Sequence, residues 1–499
     1  MKTALRLSVF LMLSNSMLCA QSDWPQFHGP NAQGVAPNGA PPIHFGGDSN
    51  LLWKVEVPPG LSCPVVSANR VFLTAQAANR LITLAYDATD GRELWRREAP
   101  VEKLESCHPF SSPAASTPCA ADGRVLVYFG SFGLLAYDFG GNELWQRPMP
   151  TLPTQYGTAT SPILASGKLI LQRDGNSTNS QLLALDPATG RVLWEVARPL
   201  SRESYSTPMV WAHDGLEELI VMGKGRLMSY DLLDGKERWF LTGWGFSAVT
   251  TPVAGEGLLF AGGSGTLDPA EPTDPQMTWN SLIGNYDPNK DGLLALEDIP
   301  ESVGIHLRKD VPKEAPGNYF PVRGMLGWFA DTNKDKLISK EEWDEFDGFM
   351  KDKRNTDRFV AIRPGGRGNI SGSHVAWETT RGLSEMPSPL FYGGRVYWIR
   401  DGGLLTMVQP RTGARILDRE RVGTGGQYIA SPLGAGGHIY IANEAGTVSV
   451  LQAGDQLNVL ARNPLGESIR ATPAIAGDTL YVRSAGHLWA FRDLSKSKR

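Results

Sequence analysis

Cysteine is scarce in this chain. Its 499 residues include 4 cysteines, no two of them adjacent, and no C-x-x-C-H run occurs. That excludes covalent attachment of a c-type haem. Cys63, Cys107 and Cys119 lie beyond the N-terminal segment, and an odd number leaves at least one thiol free. Cys107 and Cys119 could pair or stay apart on sequence grounds. An excess of positive charge is also missing. The formal net charge is −4, which argues against nucleic acid as a partner. No apolar run beyond the N-terminus reaches the length of a membrane span. The 8 histidines are scattered, and no Ser, His and Asp constellation reads as catalytic. Asp174 and Asp401 are candidate bases only in the sense that any large chain offers aspartates. His108, beside Cys107, is a faint metal suggestion.

What is present describes an exported globular protein. Hydrophobic residues make up 41% and charged residues 20%, the balance of a soluble chain. Lys2 and Arg6 form a basic start, Leu7 to Leu13 is apolar, and Leu18-Cys19-Ala20 can be read as a cleavage site before Gln21. Residues 1–20 are therefore expected to be a signal peptide, with export to the periplasm or outside. Cys19 follows Leu18 rather than a small residue, which argues against lipidation.

A repeat organises the rest. Leu185 to Trp194 reads LDPATGRVLW, and related copies end at Trp95, Trp145 and Trp239. In each, an apolar run ends on Asp, a turn containing Gly follows, and a second strand carries Trp. Asp bonds its own backbone two residues on, and Gly supplies the positive φ that closes the turn. Trp53, Trp95, Trp145, Trp194 and Trp239 fall 42 to 50 residues apart. That period, with several short strands per unit, points to a propeller, and the Trp suits the seam between units. Eight blade starts are marked by a residue before proline: Cys63, Thr117, Ser161, Thr207, Thr251, Ser388, Ser431 and Thr472. Residues 51–57 form a lone outer strand, and the last repeat lacks one. The two are expected to combine and close the ring. Blades six and seven have lost the Trp, with Leu417 in its place in blade six, so weaker seams are expected there.

The A/Y-x-D-x-x-x-G-x-x-x-W pattern resembles the tryptophan-docking repeat of PQQ-type quinoprotein propellers. That group includes quinoprotein alcohol dehydrogenases, the outer-membrane assembly propeller BamB and many secreted bacterial proteins. Trp24 to Asn31, WPQFHGPN, resembles the W-P-Q-F-R-G-P opening of secreted members, with His28 where Arg is usual. It is read as a strap packed across the propeller. The resemblance implies an all-β, eight-bladed propeller of four-stranded blades. The expected organisation is a signal peptide over 1–20, a lead-in strap over 21–50, propeller over 51–267, an inserted domain over 268–355, and propeller again over 356–499.

The insertion interrupts blade five between its second and third strands. Counting strand directions places it on the face that carries the loops leading into each blade. It holds two stretches with the twelve-residue EF-hand layout, which collects the six to eight oxygens that calcium wants. The first offers Asp287, Asn289, Asp291, the Leu293 carbonyl and Asp298, with Gly292 at the sharp turn. The second offers Asp331, Asn333, Asp335, the Leu337 carbonyl, Ser339 and Glu342. Asp298 is one methylene short of the usual Glu, which favours weaker calcium binding or magnesium. Lys336 stands in the glycine slot, where a left-handed backbone costs about 1–2 kcal/mol. Trp279, Leu282, Ile283 and Tyr286 predict a helix before the first loop, and Trp343, Phe346 and Met350 one after the second. Pro300 disturbs the helix leaving the first loop. Asn176-Ser177-Thr178 and Asn369-Ile370-Ser371 match a glycosylation sequon, which carries little weight in a chain of this kind.

The functional expectation is a secreted or periplasmic scaffold that binds calcium through the insertion and a protein partner on the propeller face. The alternatives are a PQQ-dependent dehydrogenase and a BamB-like assembly scaffold. The resemblance implies that a dehydrogenase would hold its quinone under an adjacent Cys-Cys disulfide, which this sequence lacks. With leader and insertion removed, about 390 residues remain, the size of a BamB-like ring.

Overall fold

The strands form where apolar runs alternate with Asp-Gly turns. Asp87 Oδ1 accepts the Thr89 N–H at 2.8 Å, and Gly91 N–H donates to the Asp87 carbonyl at 2.9 Å. Asp186 with Gly190 and Asp231 with Gly235 close the same turn. A computed structural model describes residues 23–175, 179–199, 204–223, 225–243, 248–263, 278–306, 319–423 and 425–495. The expected signal peptide and the sequon at Asn176 lie outside the described residues.

Eight antiparallel sheets carry the chain, the ring of an eight-bladed propeller. Blade one is Val65–Ser67, Arg70–Ala77, Arg80–Asp87 and Glu93–Glu98, ordered from hub to rim. The eighth blade is completed by the start of the chain. Leu51–Glu56 pairs with His487–Phe491, with Trp53 opposite Ala490, and so closes the ring. Blade five runs Val253–Gly255, Leu258–Gly263, Arg358–Ile362 and Val375–Thr379, and Gly263 pairs directly with Arg358. The chain thus leaves the sheet at one residue and re-enters beside it, as expected for an insertion between the second and third strands. Among the described residues, no helix is long and apolar enough to cross a membrane.

The tryptophans form the seams. Trp95 Nε1 donates to the Phe139 carbonyl of the next blade at 3.0 Å, Trp145 to Pro187 at 3.1 Å and Trp194 to Leu232 at 3.1 Å. Trp53 does the same to Ala88 at 3.0 Å across the ring closure, and Trp377 to Pro410 at 2.7 Å beyond the insertion. Each indole lies flat on the turn glycine of that next blade, so close that a Cβ on Gly91, Gly141, Gly190, Gly235 or Gly413 would stand 2.6–2.7 Å from the ring. Trp239 departs from the pattern. Blade five offers no Asp-Gly turn at that seam, and Trp239 donates instead to the buried Glu218 carboxylate at 2.6 Å.

The eight blade starts form a hydrogen-bonded belt at the hub. The backbone N–H of Cys63 donates to Thr117 Oγ1 at 2.9 Å, and that of Thr117 to Ser161 Oγ at 3.0 Å. The relay continues through Thr207, Thr251, Ser388 and Ser431 to Thr472. At the two ends of this relay, burial pushes the Cys63 thiol pKa up and Thr472 opposes that rise. All eight residues are buried. The proline after each holds it extended, and its own N–H, buried between blades, needs a partner that only the neighbouring blade supplies.

The N-terminal strap lies along the open edges of the inner strands. Trp24 bridges Val66 of blade one, and the Pro25 carbonyl accepts the Ala120 N–H of blade two at 2.8 Å. Gln26 Oε1 takes Leu164 N–H of blade three, and Gln33 Oε1 takes Ala254 N–H of blade five. Val35–Ala36 then pairs with Leu433–Ala435 of blade seven. Each contact satisfies an edge that would otherwise be an orphan at the hub. His28 is fully buried, with its ring nitrogens 3.0 Å from the Ala32 carbonyl and 3.4 Å from that of Pro432. Burial pulls its pKa down to about 4. The histidine is part of the strap's packing, as the strap reading expects.

The insertion contributes three helices among the described residues: α1 (Trp279–Tyr286), α2 (Val322–Phe329) and α3 (Lys340–Thr356). It has its own core, which includes Leu282, Leu294, Val322, Leu326, Ile338 and Phe346. The predicted apolar stripes of α1 and α3 point into it. After the first loop the chain makes only a short 3-10 turn, Leu296–Asp298, before Pro300.

Candidate functional site

The two inserted loops share one hydrogen-bond scheme. In the first, Asp287 Oδ2 accepts the Gly292 N–H at 3.1 Å, Asn289 Oδ1 that of Asp291 at 3.2 Å, and Asp291 Oδ1 that of Leu293 at 2.8 Å. In the second, Asp331 Oδ2 accepts the Lys336 N–H at 3.2 Å, Asn333 Oδ1 that of Asp335 at 2.9 Å, and Asp335 Oδ1 that of Leu337 at 2.8 Å. Gly292 and Lys336 occupy the same left-handed position, with φ of 83° and 68°. The loops face each other across a short antiparallel bridge in which Leu294 pairs with Ile338.

The remaining oxygens decide what the loops can do. Asp287 Oδ1 and Asp331 Oδ1 are buried and have no hydrogen-bond partner. An unpartnered carboxylate oxygen in that state calls for a cation. Asp331 itself is only 4% exposed. Glu342 turns its two oxygens to Thr332 and to Ser339, at 3.0–3.2 Å. With Ser339 it forms a capping box at the start of α3. Burial would raise the Glu342 pKa, but the hydrogen bonds from Ser339 and Thr332 outweigh it and hold the carboxyl below its ordinary range. Asp298 is exposed at the end of the 3-10 turn. Among the described residues, no three His, Cys, Asp or Glu side chains stand grouped for a metal ion. A cation in these loops would therefore draw on Asn289, Asn333, Ser339 and the carbonyls of Leu293 and Leu337 as well.

The loops that cross from one blade to the next share a face with the insertion. α2 places Trp328 edge-on against His108 of the crossover into blade two, with ring centroids 5.7 Å apart and planes at 88°. His108 packs in turn on Tyr156 of the next crossover at 5.0 Å, and Tyr156 meets Tyr205 of the one after at 5.6 Å. His108 Nδ1 accepts the Phe110 N–H at 3.1 Å, which engages the ring in its own loop. Phe110 lies under Arg470 of the crossover into blade eight, 3.8 Å from ring centroid to guanidinium. This aromatic surface escaped the sequence reading, because its members lie on three separate crossover loops and on α2.

The acidic groups on this face are mostly engaged. Asp174, a candidate base from sequence, is locked in a two-pronged ion pair with Arg198 at 3.0 and 2.9 Å, fully out of solvent. Asp401 Oδ1 accepts the Tyr428 N–H at 2.7 Å. Glu105 is different. Burial pushes its pKa up to about 7, against the opposing pull of the Thr158 hydroxyl and amide. Cys63, Cys107 and Cys119 are all free thiols. The clamp that a quinone site of the implied kind would need is thus not formed by these cysteines.

Comparison with known proteins places the chain. The family model described as outer membrane protein assembly factor BamB matches residues 47–157, 151–243 and 368–498, more than half of the chain, and the unmatched middle contains the helical insertion. An outer membrane protein assembly factor BamB of Nitrosomonas eutropha is 27% identical over 198 residues, which span 38% of this chain and 42% of that protein. Among solved structures, a europium-containing methanol dehydrogenase superposes with a TM-score of 0.55 at 11% identity, covering 95% of this chain and 98% of that one. The computationally designed Ika8 protein superposes at 0.51 with 12% identity, covering 89% and 99%. These two share the fold. By sequence, the chain belongs to the family described as outer membrane protein assembly factor BamB.

Proposed function

We propose that this protein is an exported scaffold, periplasmic or secreted, that presents its crossover face to a protein partner and holds calcium in the two inserted loops, an EF-hand pair. The observation that carries the calcium part is the repeated orphan. In two loops with the same internal hydrogen bonds, the first aspartate keeps one buried oxygen without a partner. The second loop is the stronger site, because Glu342 can supply two oxygens where the exposed Asp298 offers a shorter reach. Affinity in the extracellular range, with Kd about 10⁻⁴ to 10⁻³ M, fits loops that depart from the ideal at one position each. The scaffold part is supported by family membership and by the engaged state of Asp174, Asp401 and Arg198.

Calcium titrated by calorimetry into chelator-stripped protein should bind and raise the melting temperature. The combined Asp287→Ala and Asp331→Ala variant should lose both effects. A melting temperature indifferent to calcium in the parent protein would overturn the calcium reading. The scaffold reading is checked by titrating PQQ in calcium buffer. Tight binding would overturn it in favour of a quinoprotein dehydrogenase.

A further inference from the structure

The insertion does more than hang from blade five, because one of its cation loops is wired to the crossover face. α2 has eight residues, about two turns, and Pro321 at its N-cap makes no side-chain cap bond. A helix of that length does not hold itself. Its last turn is instead fixed by the loop that follows. Ala330 and Asp331 N–H both donate to the Leu326 carbonyl, at 2.8 and 2.9 Å, and Lys334 Nζ donates to the Gly327 carbonyl at 2.9 Å. Asp331 is the same residue whose buried Oδ1 has no partner. Without a cation that oxygen is desolvated with nothing in return, and the geometry that anchors α2 is destabilised. One turn earlier on the helix stands Trp328, 56% exposed, with its edge on His108. The seat it finds is firm, because His108 is backed by Tyr156 and held by the Phe110 N–H.

We propose that a divalent cation in the 331–342 loop controls the docking of the insertion on the propeller: loading the loop fixes α2, and α2 seats Trp328 on His108 over the crossover loops of blades two and three. The proposal rests on the cation reading of that loop and adds its consequence for the face. Coupling of this kind is reciprocal, so weakening the docking must weaken cation binding by the same factor.

The test uses the whole protein and calcium alone as the probe. Trp328 offers no oxygen to a cation, yet Trp328→Ala should weaken calcium binding roughly threefold to tenfold, the size of one edge-to-face aromatic contact. His108→Ala, made on the propeller, should weaken it by the same factor, and the double variant no further. Amide hydrogen exchange over residues 99–118 should slow on adding calcium to the parent protein and stay unchanged in Trp328→Ala. Unchanged calcium affinity in both variants, with exchange over 99–118 insensitive to calcium, would overturn the coupling while leaving the cation site standing. Failure of the parent protein to bind calcium would overturn the site and the coupling together.

Discussion

The seams make a sharp quantitative prediction, because blade three offers two left-handed glycines that differ in one respect. Gly190 has φ 68° and Gly167 has φ 74°. A Cβ on Gly167 meets nothing within 4 Å, whereas one on Gly190 would stand 2.6 Å from Trp145 Cε3 and 2.8 Å from Cδ2. Gly167→Ala therefore suffers only the left-handed backbone, about 1–2 kcal/mol, partly offset by a stiffer unfolded chain. Gly190→Ala suffers that and also drives the indole off its turn. It loses the Trp145 bond to the Pro187 carbonyl, 3.1 Å long, worth about 1 kcal/mol, and strains the packing by about 1–3 kcal/mol. The total is about 3–5 kcal/mol, against about 1 kcal/mol for the control. Urea unfolding followed by far-UV circular dichroism reads both. Adding Trp145→Ala to Gly190→Ala should add less than the two single losses, since the clash has gone. Equal midpoints for the two alanine variants would refute the claim that close ring-on-glycine contact forms the seam.

Other groups give equally direct expectations. Asp174→Asn leaves Arg198 without its counter-charge in a pair whose side chains are 0% and 1% exposed, and should destabilise by about 3–5 kcal/mol; a melting temperature equal to the parent's would mean the pair is not fixed. The pKa of His28 falls from 6.5 in an unfolded chain to about 4 when folded, so the unfolded state binds the extra proton first. Its stabilising effect is complete above pH 6.5 and is lost as pH drops towards 4, by about 3 kcal/mol, and His28→Gln should flatten that part of the stability profile measured by thermal melting. Lys336 is exposed at φ 68°, so Lys336→Gly relieves left-handed strain without losing packing and should tighten calcium binding by several-fold in a calorimetric titration.

The sequence makes the repeat plain, because turn chemistry is local. Asp, Gly and Trp sit within ten residues of one another, and each does in the structure what its chemistry suggests. The eight pre-proline residues were visible as blade starts, but not as a belt. Seven of them carry hydroxyls, which accept from residues 41 to 54 positions away within the chain and 137 positions away across the insertion, and only the ring makes them neighbours. The strap was legible as a strap. The role of Gln26 and Gln33 on the inner-strand edges was not, since nothing in an amide side chain announces a partner 138 or 221 residues distant. Asp174 illustrates the opposite error. A lone aspartate near a blade end looks available, yet Arg198 comes from the next crossover to neutralise it. In the inserted loops, the turns that Asp and Asn close on the backbone are local, whereas the seat of Trp328 on His108 joins residues 220 apart.

The strap also sets an order of events during synthesis. Its residues emerge from the ribosome before any blade, yet their partners include Pro432, Gly434, Tyr440, Asn463 and Asp478, hundreds of residues later. Leu51–Glu56 likewise waits for His487–Phe491. The strap can settle on blades one, two, three and five as they form, but its contacts with blades seven and eight, and the pairing of Leu51–Glu56, come last. A nascent chain that stalls before blade eight would leave Leu51–Glu56 without its partner strand and the later half of the strap unseated, an arc with open edges of the kind that favours aggregation until the ring closes.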